Sequence, residues 1–290
     1  MIRLLDWLSA KRLTWRGDGP ASGSRSIIDF AMNETLEKLP ALIFIVLFAS
    51  LWGWEALATA RPFAGDAARR WRNLGISLIN FLLGGLTAAT MLAASAWVAT
   101  TGWGLAQWPG SAVAIIAGVL LLDMTDYWRH RVSHWWGPLW RLHRLHHTDP
   151  RIDITTALRS HPIEQLLRPV FIVAAIVAFG IAPLAVLIYP LLVLPVLLFQ
   201  HANVRVPAAL DRALVWLVST PAMHLVHHSR RPVETDSNYA TGLTVWDRLF
   251  GSYSPSPAPH GIGLDGFDRP PQQTLRGMLA NPWQAPTTRT

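Results

Sequence analysis

The 290-residue chain is 51% hydrophobic and 15% charged, with 15 Trp and no Cys; a soluble domain carries about a quarter charged residues, so a soluble surface and a disordered chain are both excluded. Without Cys there are no disulfides, thiolate-bound zinc, iron–sulfur clusters or thiol nucleophiles, and any metal must be held by His or carboxylate. The formal charge of +7 comes from 23 Arg and two Lys; no basic run interleaved with aromatics accompanies it, so nucleic acid is not an expected partner, whereas the cytoplasmic loops of a membrane protein collect such charge.

Taken in chain order, residues 1–38 read as a polar N-terminal segment. Leu39 to Ala60 is a first candidate span, interrupted only by Glu55. Asn73 to Leu122 holds no Asp, Glu, Lys or Arg over 50 residues, enough for two spanning helices joined by a turn at residues 101–111. The next helix, Ser111 to Trp128, runs on into His130. A second uncharged block of 36 residues, Pro169 to Val204, is broken at Gly180-Ile181-Ala182-Pro183 and predicts a shorter hairpin. Arg61, Arg69, Arg70 and Arg72, and then seven Arg between Arg129 and Arg168, place the loops after the first and third spans in the cytoplasm, at a bacterial inner membrane or an equivalent internal one. The predicted fold class is all-α: a membrane bundle of four to five spans in hairpins, residues 39–255, with a cytoplasmic helical cap. Residues 256–290 read as a loosely ordered Pro-rich tail.

Ten of the eleven His lie between His130 and His228. Eight form three sets: His130 and His134; His143, His146 and His147; His224, His227 and His228. At i, i+3 and i+4 each set shares a helix face, and the topology brings all three to one side of the bilayer. Without metal, so many imidazoles together would leave donors and acceptors unpaired and would repel one another once protonated. Eight ligands exceed the needs of one ion, which implies two metals in an all-nitrogen cage suited to activating O2. Two other classes share the His signal: a bis-His haem electron carrier and a non-catalytic metal-binding or transport protein. Adjacent pairs such as His146-His147 suit haem poorly, and ligands on one side of the bilayer suit transport poorly.

The surrounding residues carry a resemblance. Asp126-Tyr127-Trp128-x-His130-Arg131-x-x-His134, Leu139-Trp140-x-x-His143-x-x-His146-His147, Arg159-x-His161-Pro162-x-Glu164, Gln200-His201-x-Asn203, Pro221-x-x-His224-x-x-His227-His228, and Asn238-Tyr239 leading to Trp246-Asp247-x-x-Phe250-Gly251-Ser252-Tyr253 resemble the fatty acid hydroxylase superfamily, also called the sterol desaturase family. The resemblance covers about residues 70–255; Ala240 stands where Gly is common and Ser252 where Thr is. It implies an integral membrane di-iron oxidoreductase that uses O2 and two electrons to hydroxylate or desaturate a membrane lipid.

On this reading the eight clustered His are ligands of two irons, with zinc a possible substitute. His201, ending an uncharged block where an ionisable residue is costly, is the ninth. His161 is either a tenth ligand or an orienting residue, with Glu164 fixing its tautomer. Asp126, one turn before His130, is positioned to accept that imidazole's distal proton. Asn203 and Asn238 are candidates for similar roles, and Asp247 for building a turn or salt bridge. There is no GxGxxG fingerprint, so electrons are expected from a separate ferredoxin, cytochrome b5 or reductase; the Arg129–Arg168 cluster is placed either to dock such an acidic partner or to bind lipid headgroups.

Overall fold

The computed structural model describes residues 42–61, 67–108, 110–255 and 259–286; the N-terminal segment 1–38 lies outside them. The chain divides into two units, Met1–Val46 and Leu47–Thr290, and the architecture below is that of the second. Among the described residues there are helices and isolated β-bridges but no strand.

The main helices are α1 (Leu42–Leu57), α2 (Ala67–Thr101), α3 (Ala112–Trp135), α4 (Gly137–His147), α5 (Pro162–Phe179) and α6 (Pro183–His201). Among the described residues three of them, α2, α5 and α6, are long and apolar enough to cross a membrane, where the sequence predicts four to five spans; the described part of α1 is shorter. In α3 the apolar run ends at Leu122, after which Asp123 and Asp126 are buried by protein rather than exposed to lipid. At about 1.5 Å per residue, the 35 residues of α2 outreach a hydrocarbon core, so its first turns carry Arg69, Arg70 and Arg72 beyond the apolar stretch.

The second hairpin turns where the sequence breaks. Gly180 caps α5 in the left-handed region at φ 65°, and Pro183 starts α6. The turn is pinned to the end of the first hairpin: a Cβ on Gly180 would lie 2.2 Å from the Trp103 carbonyl oxygen, and one on Gly104 2.3 Å from that of Phe179. Only glycine permits this crossing. Between the hairpins, Val98, Leu122, Ile172, Ile176, Ile181 and Ala185 make the main apolar core.

Beyond α6 come the short helices α7 (Ala208–Leu214), α8 (Pro221–His227), α9 (Pro232–Thr235), α10 (Val245–Leu249) and α11 (Leu275–Ala280). The expectation of a loose tail is corrected over residues 259–286. Met278 is buried against Ile76 and Leu145, and Gln273 accepts from Arg159 at 2.9 Å while donating to the Thr148 and Phe267 carbonyls. The physical reason is Arg159, a fully buried guanidinium that needs acceptors on every side.

Candidate metal centre

Four helices deliver the histidines. α3 carries His130 and His134 one turn apart near its end; α4, opened by Pro138 and closed by Thr148, carries His143, His146 and His147. His201 is the last residue of α6. α8 has only seven residues, but Thr220 caps it by accepting from Met223 N and Pro221 begins it, enough to set His224, His227 and the capping residue His228 on one side. The nine imidazoles fall into two groups, His130, His134, His143, His147 and His227 in one and His146, His201, His224 and His228 in the other, with the ligand atoms of each group within 4.8 Å of one another. All but His134 are buried.

The hydrogen bonds fix which nitrogen faces inward. His130 Nδ1 donates to the Tyr239 carbonyl and His227 Nδ1 to that of Ser237, both at 2.7 Å. In the second group His201 Nδ1 donates to the Leu197 carbonyl at 2.7 Å and His146 Nδ1 to that of Arg159 at 3.3 Å. A neutral imidazole has one proton. The Nε2 atoms of these four rings are therefore bare lone pairs, yet they lie 3.1 Å apart in His130–His227 and 3.1 Å apart in His146–His201. Two lone pairs at that distance repel, and a divalent cation shared by them removes the conflict. Burial above all, with neighbouring imidazoles adding to it, holds His146, His147, His224 and His228 well below the usual histidine range. Burial brings His227 down to about 3. These five rings are held neutral, the state that binds metal, and the donor set fits a pair of nitrogen-ligated ions, one group apiece.

The supporting residues differ in part from expectation. Glu164 accepts from His143 Nδ1 at 2.7 Å rather than from His161. His161 lies outside both groups: its Nδ1 caps α5 by accepting from Ile163 N and its Nε2 donates to the Leu279 carbonyl. Asp126 does not reach His130, whose proton goes to a backbone carbonyl; its buried carboxylate accepts from Arg129 at 2.7 Å and Arg168 at 3.0 Å. Asn203 ties the end of α6 to Thr59 and Arg61 and touches no imidazole. Asn238 acts through backbone: left-handed at φ 53°, it stands between the two carbonyls that hold His227 and His130, and its amide bonds Met223 O, Ser254 O and Ser254 N.

Most of the Arg129–Arg168 cluster is engaged within the protein, while Arg141 is exposed. Arg129 and Arg168 hold Asp126, Arg131 donates to Tyr127 Oη and the Phe250 carbonyl, Arg144 is buried on Asn281 and Gln284, and Arg159 is fully buried. Two further carboxylates support the site: Asp247, in the turn-building role expected of it, and Asp236, which the sequence did not single out. Asp247 accepts from Tyr239 N at 2.8 Å, Ala240 N at 2.9 Å and Ser252 Oγ at 2.6 Å, fixing the loop whose carbonyls orient His130 and His227. Asp236 meets His134 Nδ1 at 3.2 Å. Asp247 stands in the Trp-Asp-Arg-Leu-Phe-Gly run and its position was visible; its target was not.

Nine histidines from four helices, set beside apolar hairpins, form two groups that could each hold a metal ion. Residues 115–252, just under half of the chain, match the fatty acid hydroxylase family, in support of the superfamily that the histidine motifs resemble. It is 32% identical over 187 residues to an ornithine lipid hydroxylase from Rhizobium tropici, covering 60% of this chain and 50% of the relative. With the alkylglycerol monooxygenase of Xenopus tropicalis it shares 34% identity over 134 residues, 46% of this chain and 29% of the relative; with that of Homo sapiens, 30% over 139 residues, 46% and 28%. The chain thus spans half or less of the length of these relatives. No solved structure matches it.

Proposed function

We propose that the protein is an O2-dependent di-iron oxidoreductase that hydroxylates a C–H bond of a membrane lipid, with desaturation as the other outcome the same centre supports. The observation that carries this is the pair of opposed lone-pair contacts, His130–His227 and His146–His201, each locked by carbonyl acceptors on the far nitrogens. The lipid substrate class is supported by the names of the relatives, an ornithine lipid hydroxylase and alkylglycerol monooxygenases. An iron pair bound there supplies reductive activation of O2, which no side chain provides.

The chain's own residues bury eight of the nine imidazoles and so limit the access of water to the cage. The carbonyls of Tyr239, Ser237, Arg159 and Leu197 keep four rings in one tautomer, and the Glu164 carboxylate makes His143 a stronger donor. Electrons come from a separate donor, and the centre lies on the cytoplasmic side, as the arginines of the flanking loops favour.

The test joins metal analysis with lipid chemistry. Purified from iron-replete cells, the wild-type protein carries about two metals per chain, the number two separate ligand groups predict; His146→Ala and His227→Ala lose metal and activity together. Mass spectrometry of lipids from cells with and without the protein shows a species gaining one oxygen for hydroxylation, or losing two hydrogens for desaturation. A Soret band, or full activity in either variant, overturns the reading.

A further inference from the structure

Outside the spanning helices a compact group of apolar side chains faces outward beside the metal centre. Trp216 is 70% exposed, Leu217 62% and Leu249 64%, with Val245 next to them. Two segments far apart in sequence build this face, and their backbones are stitched together. Val218 pairs with Leu243 in an antiparallel bridge, Thr244 N donates to the Leu217 carbonyl at 3.2 Å, and Thr244 Oγ1 donates to that of Val215 at 2.8 Å. Arg248 donates to the same Val215 carbonyl at 2.9 Å and lies 4.4 Å over the Trp216 ring. The side chains are thus held outward by a fixed scaffold.

Asp123 of α3 sets the height of this face. Its Oδ2 accepts from Leu243 N at 3.1 Å and Trp246 Nε1 at 2.8 Å. A Cβ on Gly242 would fall 2.3 Å from its Oδ1, so the segment lies directly against the helix. Asp123 precedes His130 by seven residues, about 10 Å toward the apolar end of α3. Leu120, Ile116 and Val113 follow in that direction and face outward. The apolar face therefore lies on the bilayer side of the cage, at the level where α3 passes from apolar to charged sequence. Arg205 and Arg212, both exposed, lie on the stretch that leads from α6 to Trp216. Trp and Leu directed outward, with Arg alongside, is the make-up of an element lying in a lipid interface, apolar groups among acyl chains and guanidiniums among phosphates.

We propose that residues 205–217 and 243–249 form a monotopic anchor, seated in the headgroup–acyl boundary of the leaflet that adjoins the metal centre. It is a lipid-binding surface additional to the spanning helices, and it holds the cage against the membrane whatever reaction the metals perform.

The chain has no Cys, so single labels can be placed without background. Nitroxides at Leu217→Cys and Leu249→Cys, one in each segment, are compared in phosphatidylcholine–phosphatidylglycerol liposomes with a lipid reference at Val113→Cys, 77% exposed on α3, and a water reference at Pro138→Cys, exposed beyond the cage. The expected result is relaxation of both test labels by O2 and loss of relaxation by a water-soluble nickel chelate, as at Val113 and opposite to Pro138. Chelate access equal to that at Pro138 overturns the proposal. So does shielding from both reagents with dipolar broadening between labels, which makes the face a contact with a second copy. A Val113 label open to the chelate places the apolar end of α3 in water and overturns the anchor with it.

Discussion

Glu164 accepts the Nδ1 proton of His143 at 2.7 Å, and the same carboxylate oxygen lies 3.6 Å from Arg129, which in turn bonds Asp126. A carboxylate, a guanidinium and a second carboxylate thus run from the core of α3 to one ligand of the five-histidine group. Glu164→Gln keeps the shape and removes the charge that strengthens His143 as a donor. Zinc titration of the purified variant is expected to show affinity reduced roughly 10- to 100-fold at one site. Unchanged affinity would remove Glu164 from the ligand-supporting set.

Asp153 makes the sharpest pH prediction. Burial alone would raise its carboxyl, but Arg69, with Thr155 and Arg70, holds it below the usual value. A depressed carboxyl contributes stability that is complete above its unfolded pKa, about 3.9, and is lost as pH falls through the lower folded value. Asp153→Asn leaves buried Arg69 with one carboxylate partner fewer and is expected to cost about 3–5 kcal/mol at neutral pH. Thermal unfolding in detergent across a pH series should show the gap between wild type and variant closing below about pH 4. A constant gap is the outcome against it.

Asn238 separates conformation from hydrogen bonding. Both Asn238→Gly and Asn238→Ala lose the bonds to Met223 and Ser254, but only alanine meets the left-handed backbone with a Cβ. The alanine variant should be less stable by about 1–2 kcal/mol, and should bind zinc more weakly because the Ser237 and Tyr239 carbonyls shift. Equal melting of the two variants would show that the loop relaxes freely.

Gly242→Ala drives a methyl group into the Asp123 carboxylate. The side chain must move off Leu243 N and Trp246 Nε1, and the expected loss is about 1–3 kcal/mol in thermal unfolding. A variant as stable as wild type would mean that segment 243–249 packs elsewhere.

The cage was legible because helical spacing is local: His143, His146 and His147 share a face whatever surrounds them. The hairpin break at Gly180–Pro183 was legible for the same reason, as a chain-stop written in two residues. What orients the rings was not, because the acceptors are backbone carbonyls at Tyr239, Ser237 and Arg159, a group every residue possesses. Glu164 was recognised as an orienting carboxylate but assigned to its sequence neighbour His161, whereas folding brings it to His143, 21 residues away. Arg159 and Arg144 looked like surface charge in the sequence; only the packing of residues 273–284 around them makes them interior.

That packing also sets an order of events. The last proposed ligand to leave the ribosome is His228, yet Arg159, whose carbonyl holds His146, has its guanidinium held by Gln273. A nascent chain halted between these two points has all nine clustered histidines and an unfinished mould around them. The surroundings of the nine histidines are therefore complete only once Gln273 is made, and a nonsense codon between His228 and Gln273 spares all nine while leaving a buried guanidinium without one of its acceptors.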